Sequence, residues 1–189
     1  MLLGSTLTKA PVMGLQTGGE IAQTKTAIVD PATLAVVAYV VEGPLLEDGV
    51  WLLRIADVRE LSDLGFIVDS TDEFIHPEDV LKINEIYKLN FPLLEMPVID
   101  ERRTKLGKVI DFTLETGSFM VQQLTIRRPL LKSFNDTELL IHRSFLCITI
   151  QSSDSGVFPL PDRHGVIYVC GVPQPSLDVS LSIRRPARV

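Results

Sequence analysis

Apolar residues recur along this chain in short runs separated by turn-forming residues. Trp51–Ile55, Gly65–Val68, Glu138–His142 and Phe145–Ile150 are rich in leucine, isoleucine, valine and phenylalanine. β-Branched and aromatic side chains fit a pleated, half-buried surface, so the pattern predicts strands. One segment differs. In Ile75–Tyr87, Pro77 is followed by Glu78 and Asp79, and Val80, Ile83 and Tyr87 recur at helical spacing with Leu81 beside them. Proline tolerates a first helical turn and acids favour its positive dipole end, so a short helix is predicted here.

The strand signals occur twice, about 85 residues apart. The first copy runs from Ala10-Pro11-Val12 through the Gly18-Gly19 pair to Glu20–Lys25, then Ile28–Pro31, then Val36–Val41. The second runs from Met96–Asp100 through a polar turn at Arg102–Thr104 to Lys105–Asp111, then Thr113–Gly117, then Val121–Ile126. Gly18-Gly19 suits a tight hairpin that needs positive φ. Asp30–Thr33 and Glu115–Ser118 hold equivalent places and read as turns. Each copy continues with two further apolar runs. Short strands in this number expose their edges when flat, so each copy is expected to curl into a small closed or half-closed barrel.

The expected organisation is mainly β: a barrel over residues 1–75, a linker helix over 76–90, a second barrel over 91–150, and an extension over 151–189. The extension holds five of the 12 prolines, one apolar run at Gly165–Cys170, and a basic end at Ile183–Val189. It is expected to be partly irregular.

These residues resemble the PRC-barrel family, which includes domains of the photosynthetic reaction centre H subunit and of a ribosome maturation factor. The likeness lies in the opening Met1–Ser5 with the Pro11-Val12 strand, in Lys105–Asp111, similar to a Gly-Lys-Val-x-Asp strand, and in the His76–Val80 connector. It covers about residues 1–150, and the first copy departs from it with Ala22-Gln23-Thr24 in place of Gly-Lys-Val. The resemblance implies tandem PRC-type barrels used for protein contacts, with no general catalytic residue set to carry over.

Candidate chemistry is sparse. His76, His142 and His164 show no metal-ligand spacing with one another or with Cys147 and Cys170. The two cysteines lie in apolar runs and are expected to be buried free thiols. No Gly-x-Ser-x-Gly elbow occurs, and Ser152–Ser155 reads as a loop. Gly14–Gly19 leads into a strand rather than a helix, so it is a hairpin and not a phosphate cradle. No catalytic, cofactor or metal residue is assigned, and no cofactor is expected.

Charge refines the choice of partner. The net charge is −6, yet residues 42–85 carry 12 acids and 3 bases, whereas residues 86–189 carry 10 acids and 13 bases. An acidic total disfavours nucleic acid unless a local basic face forms. The candidate contact residues are the pairs Arg102-Arg103 and Arg127-Arg128 and the acids Asp72 and Glu73; a further pair is Arg184-Arg185. Aromatics are 6% and do not interleave with these arginines, which argues against a base-stacking platform. The longest apolar run, Leu34–Val41, has 8 residues against the roughly 20 that a membrane helix requires. With no basic, apolar leader at Met1–Ser5, a soluble cytoplasmic protein is expected. The leading expectation is a non-enzymatic adaptor for an unidentified protein partner, with a homodimer compatible. A ribosome-maturation or RNA-associated factor and a small-ligand carrier are the alternatives.

Overall fold

A computed structural model describes residues 1–129, 137–149 and 166–170. The chain opens with a short strand, β1 (Leu2–Leu3), whose partner lies in the second half of the molecule. The first sheet comprises β2 (Pro11–Gly14), β3 (Gly19–Asp30), β4 (Ala35–Glu42), β5 (Trp51–Arg54), β6 (Glu60–Ser62), β7 (Gly65–Val68) and β8 (Phe74–Ile75), in the order β6-β7-β2-β3-β4-β5-β8. A helix, α1 (Leu81–Leu89), follows. The second sheet comprises β9 (Pro97–Asp100), β10 (Lys105–Leu114), β11 (Val121–Arg127), β12 (Glu138–His142), β13 (Leu146–Thr149) and β14 (Val166–Val169), in the order β12-β11-β10-β9-β14-β13, with β1 also paired to β10.

The two sheets repeat one plan. β2 pairs antiparallel with β3 and parallel with β7, and β9 pairs antiparallel with β10 and parallel with β14. Gly18, at φ 66°, turns the first hairpin as its sequence predicts. Both sheets are curled. Arg143–Phe145, three residues, carry the chain from β12 to β13, which sit at opposite ends of the strand order. So short a link reaches about 14 Å, whereas five strand spacings of a flat sheet need about 24 Å. The sheet therefore bends round on itself as a half-barrel.

Three expectations change. Val166–Val169, read as part of the extension, is an interior strand between β9 and β13. It is β14, rather than Phe145–Ile150, that matches Gly65–Val68 of the first copy. The rest of the extension, with Arg184 and Arg185, lies outside the described residues. Met1–Leu3, read as part of the first barrel, pairs with the second sheet. The helix starts later than predicted: Pro77–Asp79 form a separate 3₁₀ turn, Val80 is extended, and α1 begins at Leu81. Its buried residues are Ile83 and Ile86, while Leu81 stays 75% exposed.

The halves meet through their equivalent turns. Leu34 and Phe119 both take left-handed backbone, at φ 57° and 52°, and both donate an N–H back across the turn at 2.8 Å, to Asp30 and Glu115. Val36 N–H then donates to the Phe119 carbonyl at 2.9 Å, and Val121 N–H to the Leu34 carbonyl at 2.8 Å. The bridge is reciprocal, as about a local two-fold axis. Left-handed backbone is costly for bulky residues and persists here because both side chains are buried, at 7% and 5% exposure. The ring of Phe119 lies 6.2 Å from that of Phe66, which lies 5.2 Å from that of Tyr39. One continuous core thus runs through both sheets, from Leu7 and Val12 to Leu124 and Ile167.

Two outcomes are expected. Phe119→Ala should lower stability by about 3–5 kcal/mol, with denaturant unfolding still a single transition because the core is shared. The buried hydroxyl of Tyr39 has no hydrogen-bond partner among the described residues, and burial raises its pKa above the ordinary value. Because the raised pKa favours neutral tyrosine in the fold, stability is fully present below the unfolded value of about 10 and falls as pH rises beyond it. Tyr39→Phe should remove that alkaline loss and leave stability at neutral pH unchanged or raised by about 1 kcal/mol, measured by denaturant unfolding.

A candidate binding groove along a free strand edge

The two sheets differ in what lies beside their longest strands. In the second sheet, β10 is covered along its whole length on the side away from β11. β9 pairs with Lys105, Gly107 and Lys108; Val109 exchanges main-chain hydrogen bonds with Glu95 and Met96; and β1 pairs with Thr113 and Leu114. Between these contacts Asp111 grips the N-terminal segment, accepting from Ser5 N–H at 3.0 Å and from Ser5 Oγ at 2.6 Å. The turn after β1 comes so close to β10 that a Cβ on Gly4 would lie 2.4 Å from the Phe112 ring.

In the first sheet the covering begins the same way. β2 pairs with Gly19–Gln23, and Thr24 exchanges main-chain bonds with Lys9 and Ala10. The Thr24 hydroxyl, 1% exposed, also donates to the Leu7 carbonyl at 2.6 Å. Beyond Thr24 the parallel fails. Among the described residues no strand pairs with Lys25–Asp30 on the side away from β4. The positions that correspond to Leu2-Leu3 are Lys88-Leu89, the end of α1. Within α1 their N–H groups are spent on the helix's own turns, so this segment does not pair with β3 as a strand would. Instead α1 lays Ile83 and Ile86 on Ile28, Ala38 and Leu52.

A groove of about 400 Å³ occupies the vacated place. Its floor is Lys25–Val29 with Val40 beside them, one wall is Ile86, Tyr87 and the segment Asn90–Leu94, and the other is formed by Gly4, Thr8 and Phe112. The groove runs along the side of β3 away from β4 and also reaches onto the sheet face, where Val40, the β4 partner of Thr26, lines it. In an antiparallel ladder alternate residues turn their N–H and C=O away from the neighbouring strand. Half of the main-chain groups of Lys25–Val29 thus point towards the groove. Lys25 and Thr26 are exposed, and the Lys25 ammonium sits 2.8 Å from Glu42 at the rim. Ala27 stands where Phe112 stands in the second sheet: their β4 and β11 partners, Tyr39 and Leu124, are the same repeat position. The smaller side chain leaves the space open.

None of the candidate contact residues expected from the sequence lines this groove. Arg102 and Arg103 are exposed in the β9–β10 turn, with Arg103 at φ 61° and Asp100 accepting from Thr104 N–H at 2.7 Å. That bond is the largest cause holding the Asp100 carboxyl below its usual pKa. Arg127 ends β11 opposite Lys108 and Glu138, and Arg128 follows it. The four arginines thus share the second sheet. Asp72 and Glu73 lie in a 3₁₀ turn of the first half, beyond β7. Nearby, Arg59 holds Asp69 in a two-pronged ion pair that lowers the Asp69 pKa. The groove residues were within reach of the repeat: setting Lys88-Leu89 against Leu2-Leu3 shows a helix where the other copy has a strand.

His76 and His142 serve structural contacts. His76 lies with its ring centre 3.9 Å from that of Trp51 and its Nδ1 3.1 Å from the Val50 carbonyl oxygen, and His142 Nδ1 accepts from Ser144 N–H at 3.3 Å. His164 lies outside the described residues, among which no His, Cys, Asp and Glu grouping could hold a metal. The cysteines correct the expectation of burial. Cys147 is exposed and Cys170 half-buried; among the described residues β13 is the last strand of its sheet and has a neighbour on one side only. Their sulfurs stand 3.1 Å apart, and the hydrogen bond to Cys147 raises the Cys170 pKa. Neither protein-family models nor curated proteins match this chain.

Oxidised glutathione at neutral pH is expected to join this pair by thiol–disulfide exchange, releasing two reduced glutathiones. Peptide mapping should show Cys147 linked to Cys170, and Cys147→Ser should abolish the link.

Proposed function

We propose that the chain is a non-enzymatic adaptor, a tandem pair of PRC-type barrels that holds a protein partner in the cytoplasm. The observation that carries this reading is the contrast between the two sheet edges. One edge is already closed by an extended segment from a distant part of the chain, and its counterpart, among the described residues, stands open beside a mostly apolar groove. Open edges with an adjoining apolar groove are surfaces that proteins use to take up another chain. Among the described residues no helix is long and apolar enough to cross a membrane.

A second, RNA-associated reading draws on Arg102, Arg103 and Arg127 at one end of the second sheet. Acids interleave with them: Glu138 stands opposite Arg127, and Glu95 lies 3.3 Å from Lys108. These neighbours reduce the local positive potential, which favours the protein reading.

Affinity capture on the immobilised full chain separates the two. A single protein partner in near-equal amount, retained at moderate salt and after nuclease treatment, is the expected result. Retention lost with nuclease would favour the RNA reading, and the absence of any retained protein would overturn the adaptor.

A further inference from the structure

The open edge of β3 has a counterpart that is filled, and the filling describes what fits. Leu2-Leu3 pair with Leu114 and Thr113, Ser5 bonds Asp111, and Gly4 between them is forced to be small by the Phe112 ring. In the first sheet the corresponding strand positions are Val29 and Ile28, with Thr26 where Asp111 stands and Ala27 where Phe112 stands. Both ladder positions are thus apolar in the first sheet, with Ile28 in the place of Thr113 and Val29 in that of Leu114. The gripping position keeps a hydroxyl that can bond one main-chain group. The position that excludes a side chain in the second sheet admits one in the first.

We infer that the groove binds an extended segment of a partner protein by adding it as a strand to the free edge of β3, and that this segment carries two adjacent aliphatic residues followed by an aromatic one. The aliphatic pair takes the place that Leu2-Leu3 occupy on β10. Main-chain hydrogen bonds to alternate residues of Lys25–Val29 supply register. The aromatic ring fills the space that Ala27 leaves and packs against Phe91 and Phe112, both of which line the groove. Stacked or tilted ring pairs of this kind add to the apolar burial. The same ring would collide with Phe112 on β10, so the segment distinguishes the two edges. This inference rests on the adaptor reading and names the chemistry of its partner.

The test uses the full chain and a synthetic peptide, acetyl-Met-Leu-Leu-Phe-Ser-Thr-Leu-amide, followed by amide NMR and hydrogen exchange. Two further peptides carry N-methyl groups on alternate amides, one in each phase. Binding should perturb Lys25–Val29 and slow exchange at alternate amides there. One methylated phase should bind about tenfold more weakly or worse, because its lost N–H groups are those that face β3, while the other phase stays near the parent. Replacing the peptide phenylalanine by glycine should weaken binding by a similar factor. Ala27→Phe, which copies the second sheet, should abolish it. If that variant misfolds, the methylated peptides decide alone, since they leave the protein untouched.

Three results would overturn the inference. One is no binding at about millimolar peptide. Another is equal binding of both methylated phases, which marks a cavity that takes small apolar ligands without strand pairing. The third is protection at Thr113 and Leu114, which marks displacement of β1. Any of these alongside a retained protein partner in the capture experiment leaves the adaptor standing and moves its contact to another face.

Discussion

The bridge between the two inner turns governs the rest of the molecule. Val36 and Val121 each donate to the carbonyl of the other half's left-handed residue, Phe119 and Leu34. Those carbonyls point across the junction only because both residues hold positive φ, and that geometry persists only while both side chains stay buried. Main-chain geometry at the junction and packing of the core therefore depend on each other. Two sheets that could each fold around a small interior are joined into one apolar body, which buries a larger share of its surface than either could alone.

The junction also orients everything outside it. With the β3–β4 and β10–β11 turns face to face, the β9–β10 turn with Arg102 and Arg103 lies at the far end of one sheet, and the β2–β3 turn with Asp69 beside it lies at the far end of the other. Ion pairs at these ends, such as Arg59 with Asp69, are exposed and contribute little to stability. Their effect is on which surfaces approach and which repel.

Against this near-symmetry the exceptions are informative. The first sheet receives a helix where the second receives the N-terminal strand, and an alanine where the second has a phenylalanine. Either change alone would leave a smaller gap. Together they produce an edge whose main-chain groups no strand among the described residues pairs, beside an apolar hollow. A protein that only had to be stable would gain by covering such an edge, as this chain does at β10. That asymmetry is the physical basis for reading the chain as a holder of a partner.

Local chemistry made much of the secondary structure legible in the sequence. Gly18 could be assigned to a turn because few other residues adopt its backbone at no cost, and Asp30–Thr33 and Glu115–Ser118 because their side chains cap their own turns. The period of about 85 residues was legible because paired strands need matching apolar patterns at each repeat. What the sequence could not show depended on partners distant along the chain. Ser5 and Asp111 are 106 residues apart, and nothing near either one announces the other. The same holds for β14, which joins β9 from beyond a long segment, and for the exposure of Cys147 on β13, the last strand of its sheet among the described residues. By itself the sequence determined the strands, the turns and their repetition, since each follows from the conformational preferences of neighbouring residues. Only the tertiary structure decided which edges are covered and which is left open, because an edge is defined by what fails to pair with it.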